Sequence, residues 1–415
     1  MRSPIYIVDG YRTPFCKMGT NFADQSAVYL GVSVVKDLLT NVGINTEHID
    51  EVIFGCVAQP ADAMNIARVI SVLSNIPHSI PAVSVHRNCA SGFEAITYAY
   101  DRANSSGDVF VVGGTENMTR MPFLFPYSAV KKFSSLARSK SFINKIVELL
   151  KFRINDFSPQ VGLKLGLSDV LCDMNMGQTA ELIAREMNIS RREQDEYAAQ
   201  SHIKAKDNEH LIQEEISPVY LRNDDCINSF SGKCVTKDNG PRDDSTVQRL
   251  GRLRTVFDRQ GTVTAGNSSQ ITDGAGALLL MTETGIDKTG CTPIGKIVDY
   301  AYAGCDPSRM GLGPVKAIEK LGEQSTRFKI ENMDLVEINE AFAAQVLACQ
   351  KQLKIPEEKL NVNGGAIALG HPVGASGTRL VLTLLKELKR RNLKSGLASL
   401  CVGGGQGGAI WMEVC

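Results

Sequence analysis

The sequence predicts an α/β protein with helices on both faces of a buried sheet. Apolar runs that are typical of strands alternate along the chain with amphipathic runs that are typical of helices. A weak internal repeat indicates two copies of one α/β unit. The chain has 415 residues, which exceeds one small domain and suits two or three packed units.

The first elements follow one another in the order expected of such a unit. PIYIVDG at 4–10, EVIFGCV at 51–57 and DVFVVGG at 108–114 are apolar and β-rich, which predicts buried strands. AVYLGVSVVKDLL at 27–39 and CASGFEAITYAYDRA at 89–103 carry apolar residues at helical spacing, which predicts helices.

Three landmarks of the repeat recur in the same order. IDEVIFG around Asp50 resembles MDLVEIN around Asp334, CASGFEAI from Cys89 resembles GASGTRLV from Gly374, and VVGG from Val111 resembles CVGG from Cys401. The first interval is 39 residues in one copy and 40 in the other, and the second is 22 and 27 residues. Near-equal spacing favours a duplicated unit over a chance match of small-residue motifs.

The segment between the two copies differs from both. Its stretch NDDCINSFSGKCVTKDNGPRDDST is polar and predicts long loop excursions, which are often functional. We therefore expect a first domain of residues 1–118 plus 271–291, an inserted domain of residues 119–270, and a second domain of residues 292–415.

Composition narrows the class of function. Lys plus Arg and Asp plus Glu both total 45, so the chain lacks the basic excess that is usual in nucleic-acid-binding proteins. The 11 cysteines include no CxxC pair, and the closest two are Cys226 and Cys234. This argues against a zinc site and a disulfide framework, and for a reducing compartment. The stretch MRSPIYIVDGYRTPF lacks a signal-peptide core, which favours a cytoplasmic location and does not exclude the mitochondrial matrix.

Cys89 stands where a predicted strand, AVSVH at 82–86, meets a predicted helix. Free backbone N–H groups and the helix dipole at such a position stabilise a thiolate. Ala90, Ser91 and Gly92 are small enough to let a ligand or another chain approach. Cys89 is therefore a candidate nucleophile, and the alternative is a buried structural cysteine.

Two glycine-rich stretches near the C-terminus supply further candidates. NGGAIALGHPVGASG at 363–377 holds His371, which is either a base for a thiol or a turn histidine that faces water. SLCVGGGQGGAI at 399–410 leads Cys401 into a glycine run whose N–H groups suit an oxyanion or, alternatively, a nucleotide phosphate. The phosphate interpretation lacks both the Lys-Ser/Thr of a P-loop and GxGxxG spacing.

A fourth stretch, EINEAFAAQ at 337–345, places Asn339 between a strand and a helix, where Asn is also a favoured N-cap. Together the four stretches resemble the thiolase family, which carries a nucleophilic Cys in an N-C-x-S-G setting, then NEAF, GHP-GASG and C-x-G. All four occur here in that order, and the resemblance runs nearly end to end. It implies two similar α/β domains stacked as a five-layered αβαβα core, a loop domain inserted in the first, and a homodimer or homotetramer.

The resemblance also implies a mechanism. Cys89 would attack the keto carbonyl of a 3-oxoacyl-CoA while His371 takes the thiol proton. Cys401 would protonate the departing acetyl-CoA carbanion and then deprotonate a second CoA. One oxyanion hole would combine His371 with a water held by Asn339, and the other would use backbone N–H groups of Cys89 and Gly403. Coenzyme A is then a co-substrate, and neither a permanent cofactor nor a metal is implied.

Contacts with CoA and the acyl group carry over where motifs match. The residues that the resemblance places along the CoA and acyl channel are Met176, Arg242, Ala265, Ser268, Ser269, Met310, Ala341 and Phe342. Two positions depart from the short-chain biosynthetic members. Asn175 stands where those members have His, and Arg249 where they have a CoA-contacting serine. These departures leave the reaction unchanged and bear on CoA binding and chain length.

The stretch KSFINKIVELLKFRI at 140–154 predicts a basic amphipathic helix. Its apolar stripe consists of Phe142, Ile143, Ile146, Val147, Leu150 and Ile154. The cations around the stripe are Lys131, Lys132, Arg138, Lys140, Lys145, Lys151 and Arg153, opposed only by Glu148. Through residues 130–154 the protein would dock on a membrane or on a hydratase or dehydrogenase partner, or the helix would pack within its own dimer.

These features favour a degradative 3-ketoacyl-CoA thiolase of fatty-acid β-oxidation. A biosynthetic acetoacetyl-CoA thiolase is the near alternative, and a non-catalytic acyl-CoA-binding protein of the same fold is the distant one. A decarboxylating ketosynthase would need a His in an HGTGT-like sequence and would have no use for Cys401. A sterol-carrier-type thiolase would carry an HDCF-like motif at Asn339.

Overall fold

The computed structural model describes residues 4–103, 105–223 and 229–415. The strands are β1 (Ile5–Arg12), β2 (Cys16–Lys17), β3 (Glu51–Gly55), β4 (Ala82–Val85), β5 (Val109–Glu116), β6 (Phe123–Leu124), β7 (Gln160–Val161), β8 (Ser168–Asp169), β9 (Met174–Asn175), β10 (Val219–Arg222), β11 (Phe230–Val235), β12 (Thr272–Met281), β13 (Gly295–Gly304), β14 (Leu335–Ile338), β15 (Ser395–Val402) and β16 (Gln406–Val414). The helices are α1 (Ala27–Val42), α2 (Ile66–Leu73), α3 (Ser91–Arg102), α4 (Tyr127–Arg138), α5 (Phe142–Leu149), α6 (Gly162–Gly166), α7 (Met176–Glu186), α8 (Arg191–Asp207), α9 (Glu209–Gln213), α10 (Val247–Leu250), α11 (Glu283–Thr289), α12 (Gly313–Gln324), α13 (Ala343–Leu353), α14 (Ala366–Leu369) and α15 (Ser376–Arg390).

One large sheet runs through both halves of the chain in the order β14-β15-β16-β13-β1-β12-β5-β3-β4, and β2 pairs with β12. The halves meet at the antiparallel pair β1–β13, where Ile5 lies opposite Ile297. On each side of this junction the order is equivalent, since β12, β5 and β3 mirror β16, β15 and β14. The parallel pairs are β3–β4, β3–β5 and β14–β15, and the last two occupy equivalent positions in the duplicated unit.

Three large hydrophobic cores hold the five layers together, and the middle one covers both faces of the central helical layer. The first core packs α1 and α2 on the outer face of the N-terminal half-sheet and includes Phe54. The second places α3 and α15 between the half-sheets and includes Ile53 and Leu382. The third packs α12 and α13 on the outer face of the C-terminal half-sheet and includes Trp411. Adjacent residues of one strand thus face different cores, and the expected five-layered α/β fold is confirmed.

The internal repeat is confirmed at the level of hydrogen bonds. Asp50 Oδ2 accepts from the N–H groups at the start of β5, at 2.7 and 2.9 Å, and Asp334 Oδ2 accepts from the N–H groups at the start of β15, at 2.9 and 3.0 Å. The third landmark is out of register. Because Asp50 N donates to Val109 O and Asp334 N donates to Ser395 O, the strand position equivalent to Cys401 is Thr115.

Within its described residues, the middle segment adds no strand to the large sheet and instead forms the short antiparallel pairs β6–β7, β8–β9 and β10–β11. Part of the stretch predicted as loop is therefore strand β11, which pairs with β10, and residues 224–228, with Cys226, lie outside the described residues. The helix predicted over residues 140–154 is shorter in the structure, where α5 runs from Phe142 to Leu149. The domain boundaries themselves stay a prediction.

Helix length and hydropathy bear on membrane insertion. Over residues 4–103, 105–223 and 229–415, every helix is too short or too polar to cross a bilayer.

Candidate active site

Cys89 lies in the sharp turn between β4 and α3, as the sequence predicts. Asn88 adopts a left-handed φ of 44°, which turns the chain just before the thiol. Ser91 Oγ accepts from Arg87 N at 3.0 Å and donates to Asn88 O at 2.7 Å. These two hydrogen bonds stabilise the turn that places the thiol at the N-terminus of α3.

The electrostatics of Cys89 differ from the expectation of a resting thiolate. Burial raises the pKa of the Cys89 thiol above its usual value, and the backbone N–H groups of Gly403 and of Cys89 itself lower it by less. The negative charge of Glu116 adds to the rise in the pKa of Cys89. Desolvation therefore outweighs the helix terminus, and the free site holds a thiol.

The Gly403 loop follows β15 and is held close to the nucleophile. Asn88 Nδ2 donates to Gly403 O at 2.8 Å, which joins the turn before Cys89 to the loop after Cys401. Gly404 and Gly405 have φ values of 88° and 78°, a region that residues with a Cβ rarely adopt. The N–H of Gly403 faces the Cys89 sulfur, as the expected oxyanion hole requires.

Cys401 is the last buried thiol before this loop, with 1% of its surface exposed. Burial raises the pKa of Cys401 well above its usual value, and repulsion from a Cys89 thiolate adds to the rise. Met176 packs in one cluster with Cys401 and also lines the cavity at Cys89. The apolar side chains packed in one cluster with Cys401 are Met176, Ala180, Phe257, Val263, Met310, Ala341 and Phe342. Four of the predicted channel residues are among them.

His371 is buried, with 7% of its surface exposed, so the interpretation as a water-facing turn histidine is wrong. Its Nδ1 lies 2.5 Å from Ser376 Oγ, which donates to Pro372 O at 3.0 Å. Because the serine proton is used there, His371 carries its own proton on Nδ1 and leaves Nε2 as an acceptor. Burial and the nearby Arg379 charge lower the pKa of His371 to about 3, so the imidazole is neutral at neutral pH.

Asn339 is not a helix N-cap, because α13 begins at Ala343 with Phe342 in the cap position. Its side chain points instead toward the histidine, with Nδ2 3.4 Å from His371 Nε2. Its Oδ1 is buried and has no hydrogen-bond partner among the residues that the structure describes. Asn339 N donates to Ser399 O at 2.9 Å, which fixes the residue beside the strand that ends in Cys401. A polar pair, Asn339 and His371, therefore lies at the same end of the sheet.

An elongated cavity of about 400 Å³ opens at the nucleophile. It is lined on one side by Asn88, Cys89, Met176, Gly403 and Gly404, and on the others by Val57, Met118, Met121 and Val373. Residues between 163 and 171 line its outer part, and we refer to residues 162–171 as the lid. The lid contributes Leu163, Leu165, Leu167, Val170 and Leu171, so the cavity wall is largely apolar.

The remaining predicted binding residues lie apart from this cavity. Arg242 lines a second cavity of about 490 Å³ between α8 and α10. Its N–H donates to His202 Nδ1 at 3.2 Å. Ala265 is exposed, whereas Ser268 is buried and pairs in a β-bridge with Phe342, and Ser269 N donates to Ala341 O at 2.9 Å. Residues 265–269 thus connect to the cluster around Cys401, and Arg242 does not share a cavity with Cys89.

Comparison with known families decides what this arrangement is. The model of the N-terminal thiolase domain matches residues 5–284, and the model of the C-terminal thiolase domain matches residues 291–414. The chain belongs to the thiolase family. Thiolases are acyltransferases, so the chain is a member of a family of acyl-transferring enzymes.

Relatives and solved structures agree with this assignment. A protein of Staphylococcus aureus (strain COL) named "Probable acetyl-CoA acyltransferase" is 38% identical over 408 residues, which is 97% of each chain. The crystal structure of Bacillus anthracis acetyl-CoA acetyltransferase superposes with a TM-score of 0.89 at 34% identity and covers 100% of this chain and 99% of its own. Human mitochondrial 3-ketoacyl-CoA thiolase gives 0.88 at 34% identity over 99% of both chains. The same human enzyme in complex with CoA gives 0.87.

Some residues of this thiolase site were not singled out from the sequence. Ser376 and Asn88 lie inside the GASG and N-C-x-S-G motifs, and their motif positions are the signal that finds them. Glu116 and Asp169 stand in no motif of the four, and only the folded chain brings them to the site.

Proposed function

We propose that this thiolase is a 3-ketoacyl-CoA thiolase that uses free CoA to cleave 3-oxoacyl-CoA into acetyl-CoA and a shortened acyl-CoA. The observation that carries the proposal is the placement of two thiols around Met176, since Met176 packs with Cys401 and lines the apolar cavity of Cys89, where the Gly403 N–H faces the sulfur. Two thiols in such different positions suit two different tasks, one as nucleophile and one as acid and base.

In the first half-reaction the Cys89 sulfur bonds to the 3-keto carbon, and its proton passes to His371 Nε2. The bond between the second and third carbons then breaks. Its electron pair leaves as the enolate of acetyl-CoA, which takes the Cys401 proton at carbon. The products of this half-reaction are acetyl-CoA and an acyl group on Cys89.

In the second half-reaction the Cys401 thiolate takes the proton of an incoming CoA thiol. The CoA sulfur attacks the thioester carbon on Cys89, and the sulfur of Cys89 leaves and regains the proton held by His371. Each thiol ends in its starting protonation state, so the cycle balances. The N–H groups of Cys89 and Gly403 hold the thioester oxygen in this step.

His371 and Asn339 serve the other oxygen. Since burial keeps His371 neutral, its proton uptake from Cys89 is unfavourable in the free enzyme and follows only when substrate is attacked. Once protonated, Nε2 is a donor aimed at the substrate thioester oxygen. Asn339, whose Oδ1 is buried without a partner, suits the task of holding a water for the same oxygen.

The substrate assignment rests on the two cavities. The apolar wall near Cys89 suits an acyl chain, and the cavity at Arg242, where Lys206 is a second cation, suits the nucleotide end of CoA. The segment with Ser268 and Ser269 connects toward Phe342 and suits the pantetheine arm. A biosynthetic acetoacetyl-CoA thiolase would use the same residues with a shorter acyl group.

Thiolysis of acetoacetyl-CoA and 3-oxodecanoyl-CoA with free CoA tests this proposal. We expect a higher kcat/KM for 3-oxodecanoyl-CoA. A higher value for acetoacetyl-CoA would instead favour the biosynthetic short-chain enzyme. Absence of turnover with both substrates, together with iodoacetamide alkylation of Cys89 that CoA esters fail to block, would indicate a non-catalytic protein of the same fold.

We also propose that this thiolase forms a homodimer or homotetramer and that its helical hairpin, α4–α5, docks on an anionic membrane. Ala129 is the one buried residue of α4, and α5 has none within this chain. Phe142, Ile143 and Leu150 are each at least 73% exposed. The surrounding cations complement anionic headgroups, and the apolar stripe suits the bilayer interface. The lid follows the base of this hairpin, since Gly162 N donates to Pro122 O.

Vesicle pelleting measures the docking directly. We expect binding to phosphatidylcholine vesicles that contain phosphatidylglycerol, and loss of about 30-fold in affinity for K140A/K145A at roughly 1 kcal/mol per cation. The matched control removes two exposed lysines elsewhere, in K36A/K329A, and should bind as the wild type does. Equal binding of both double variants would contradict the proposal. Self-association or capture of a dehydrogenase through this face without vesicle binding would replace it.

A further inference from the structure

The lid touches the catalytic loop through one buried carboxylate. Asp169 Oδ2 accepts from Gly404 N at 2.9 Å, and Asp169 Oδ1 accepts from Leu171 N at 2.8 Å. Asp169 is only 7% exposed. Hydrogen bonds to a buried carboxylate are stronger than those between neutral groups, so this contact ties the lid firmly to the loop.

The far side of the same loop is held by the nucleophile turn. Asn88 Nδ2 binds Gly403 O, while Asp169 binds the next N–H along the chain, that of Gly404. Gly404 has a left-handed φ of 88° and no side chain, so no side-chain contact of its own fixes the loop backbone there. The orientation of the Gly403 N–H that faces Cys89 therefore depends on both clamps.

A second connection runs from the lid to the same loop. Leu167 O accepts from Met176 N at 3.0 Å, and Asp169 lies opposite Met174 in the β8–β9 pair. The Met176 sulfur lies 3.5 Å from the position of a Cβ on Gly403. A movement of the lid is thus transmitted to Gly404 through the Asp169 hydrogen bond and to Gly403 through the packing of Met176.

We propose that Asp169 is a positioning residue that couples the acyl chain in the lid to the Gly403–Gly404 oxyanion loop, and so makes turnover depend on chain length. The inference rests on the proposed function. A long acyl chain fills the apolar cavity and presses against the lid leucines, whereas an acetoacetyl group occupies little of its roughly 400 Å³. Contacts with the chain then stabilise the lid position in which Asp169 holds Gly404 N.

The test compares D169A, D169N and the control D173N for thiolysis of acetoacetyl-CoA and 3-oxodecanoyl-CoA. Asp173 is exposed in the same β8–β9 turn and has a left-handed φ of 53°, which Asn tolerates. We expect D169A to lower the ratio of kcat/KM for the long over the short substrate by about tenfold, which is the effect of one lost charged hydrogen bond. Much of the loss should lie in kcat for the long substrate, and D169N, which keeps an acceptor oxygen, should restore part of the ratio.

The outcomes separate this inference from the proposed function. If wild-type protein cleaves neither substrate, the proposed function fails before any variant is considered. If D169A lowers both substrates equally, or leaves the ratio at the wild-type and D173N value, Asp169 has only a structural role and the inference is overturned. Should D169A fail to fold, D169N against D173N decides in the same way, because an unchanged ratio in D169N contradicts the coupling.

Discussion

The N-terminal and C-terminal halves of this thiolase are built on one plan and contribute different chemistry. At the start of α3 the N-terminal half has Cys89, and at the start of α15 the C-terminal half has Gly374. At the end of the equivalent strands the N-terminal half has Thr115 and the C-terminal half has Cys401. The proposed catalytic pair therefore combines a helix-start residue from one half with a strand-end residue from the other.

The opposite pairing is occupied by a structural contact. Gly374 N donates to Glu116 Oε2 at 2.9 Å, and Val57 N and Ala58 N donate to the same carboxylate at 3.0 and 2.9 Å. A side chain on Gly374 would lie 2.6 Å from Thr115 O. The equivalent of the catalytic pocket is thus filled by a carboxylate and backbone. The duplicated fold gives two equivalent positions for a site. Glu116 and backbone fill one of them, and the residues around Cys89 leave the other open to a ligand.

The largest expected effect comes from the nucleophile. C89S should lower kcat for thiolysis by about 10³-fold or more, because an alcohol is a far weaker nucleophile than a thiol at neutral pH. Steady-state thiolysis and iodoacetamide labelling measure the change. C234A removes an exposed cysteine of β11, in the β10–β11 pair, and should keep wild-type turnover. Substantial turnover in C89S would show that the halves do not divide the chemistry as proposed.

The second effect separates the two thiols. C401A should lower kcat by roughly 10²- to 10⁴-fold, since it removes one acid–base group and leaves the nucleophile in place. Cys89 should still react with iodoacetamide in C401A, and mass spectrometry identifies the labelled residue. Loss of labelling at Cys89 together with activity would mean that Cys401 supports the nucleophile and not the second proton transfer.

The third effect tests the shared plan through stability. D50A and D334A each remove a carboxylate that accepts two backbone N–H groups at the start of a parallel strand. We expect each to cost about 1–3 kcal/mol, because two N–H donors lose their partner. Thermal unfolding midpoints should fall by similar amounts, whereas D62A, at an exposed position, should leave the midpoint unchanged. Unequal shifts would show that the halves differ in mechanics as well as chemistry.

The sequence predicted the fold correctly and singled out candidate catalytic residues, because both depend on local pattern. The apolar alternation predicted β1, β3 and β5 within two residues, and the four motifs brought out Cys89, His371, Asn339 and Cys401. The alignment of the two repeated strands could not be predicted from the sequence. VVGG and CVGG match as letters, whereas the backbone hydrogen bonds align Cys401 with Thr115. The N-cap interpretation of Asn339 failed because α13 begins four residues later.

The effect of distant residues on the pKa of Cys89 also could not be predicted from the sequence. The helix terminus at Cys89 predicted a stabilised thiolate, yet the desolvation that raises the pKa of the thiol depends on everything packed around it. Asp169 and Glu116 lie 80 and 27 residues from Cys89 along the chain and reach the site only through folding. Neither has a local pattern that distinguishes it from a surface carboxylate.

The smallest expected effect concerns Glu116 and the charge around Cys89. Burial raises the pKa of Glu116 to about 7, so above this pH its carboxylate is charged and raises the pKa of Cys89. Cys56 Sγ, 3.8 Å away, is the other titratable group that contacts it. E116Q removes the repulsion, and the pKa of Cys89 should fall. The pH dependence of iodoacetamide alkylation gives this pKa, and E47Q, which removes an exposed carboxylate, should leave it unchanged. An identical pKa in both variants would mean that the filled pocket of the duplicate site acts on the nucleophile through packing alone.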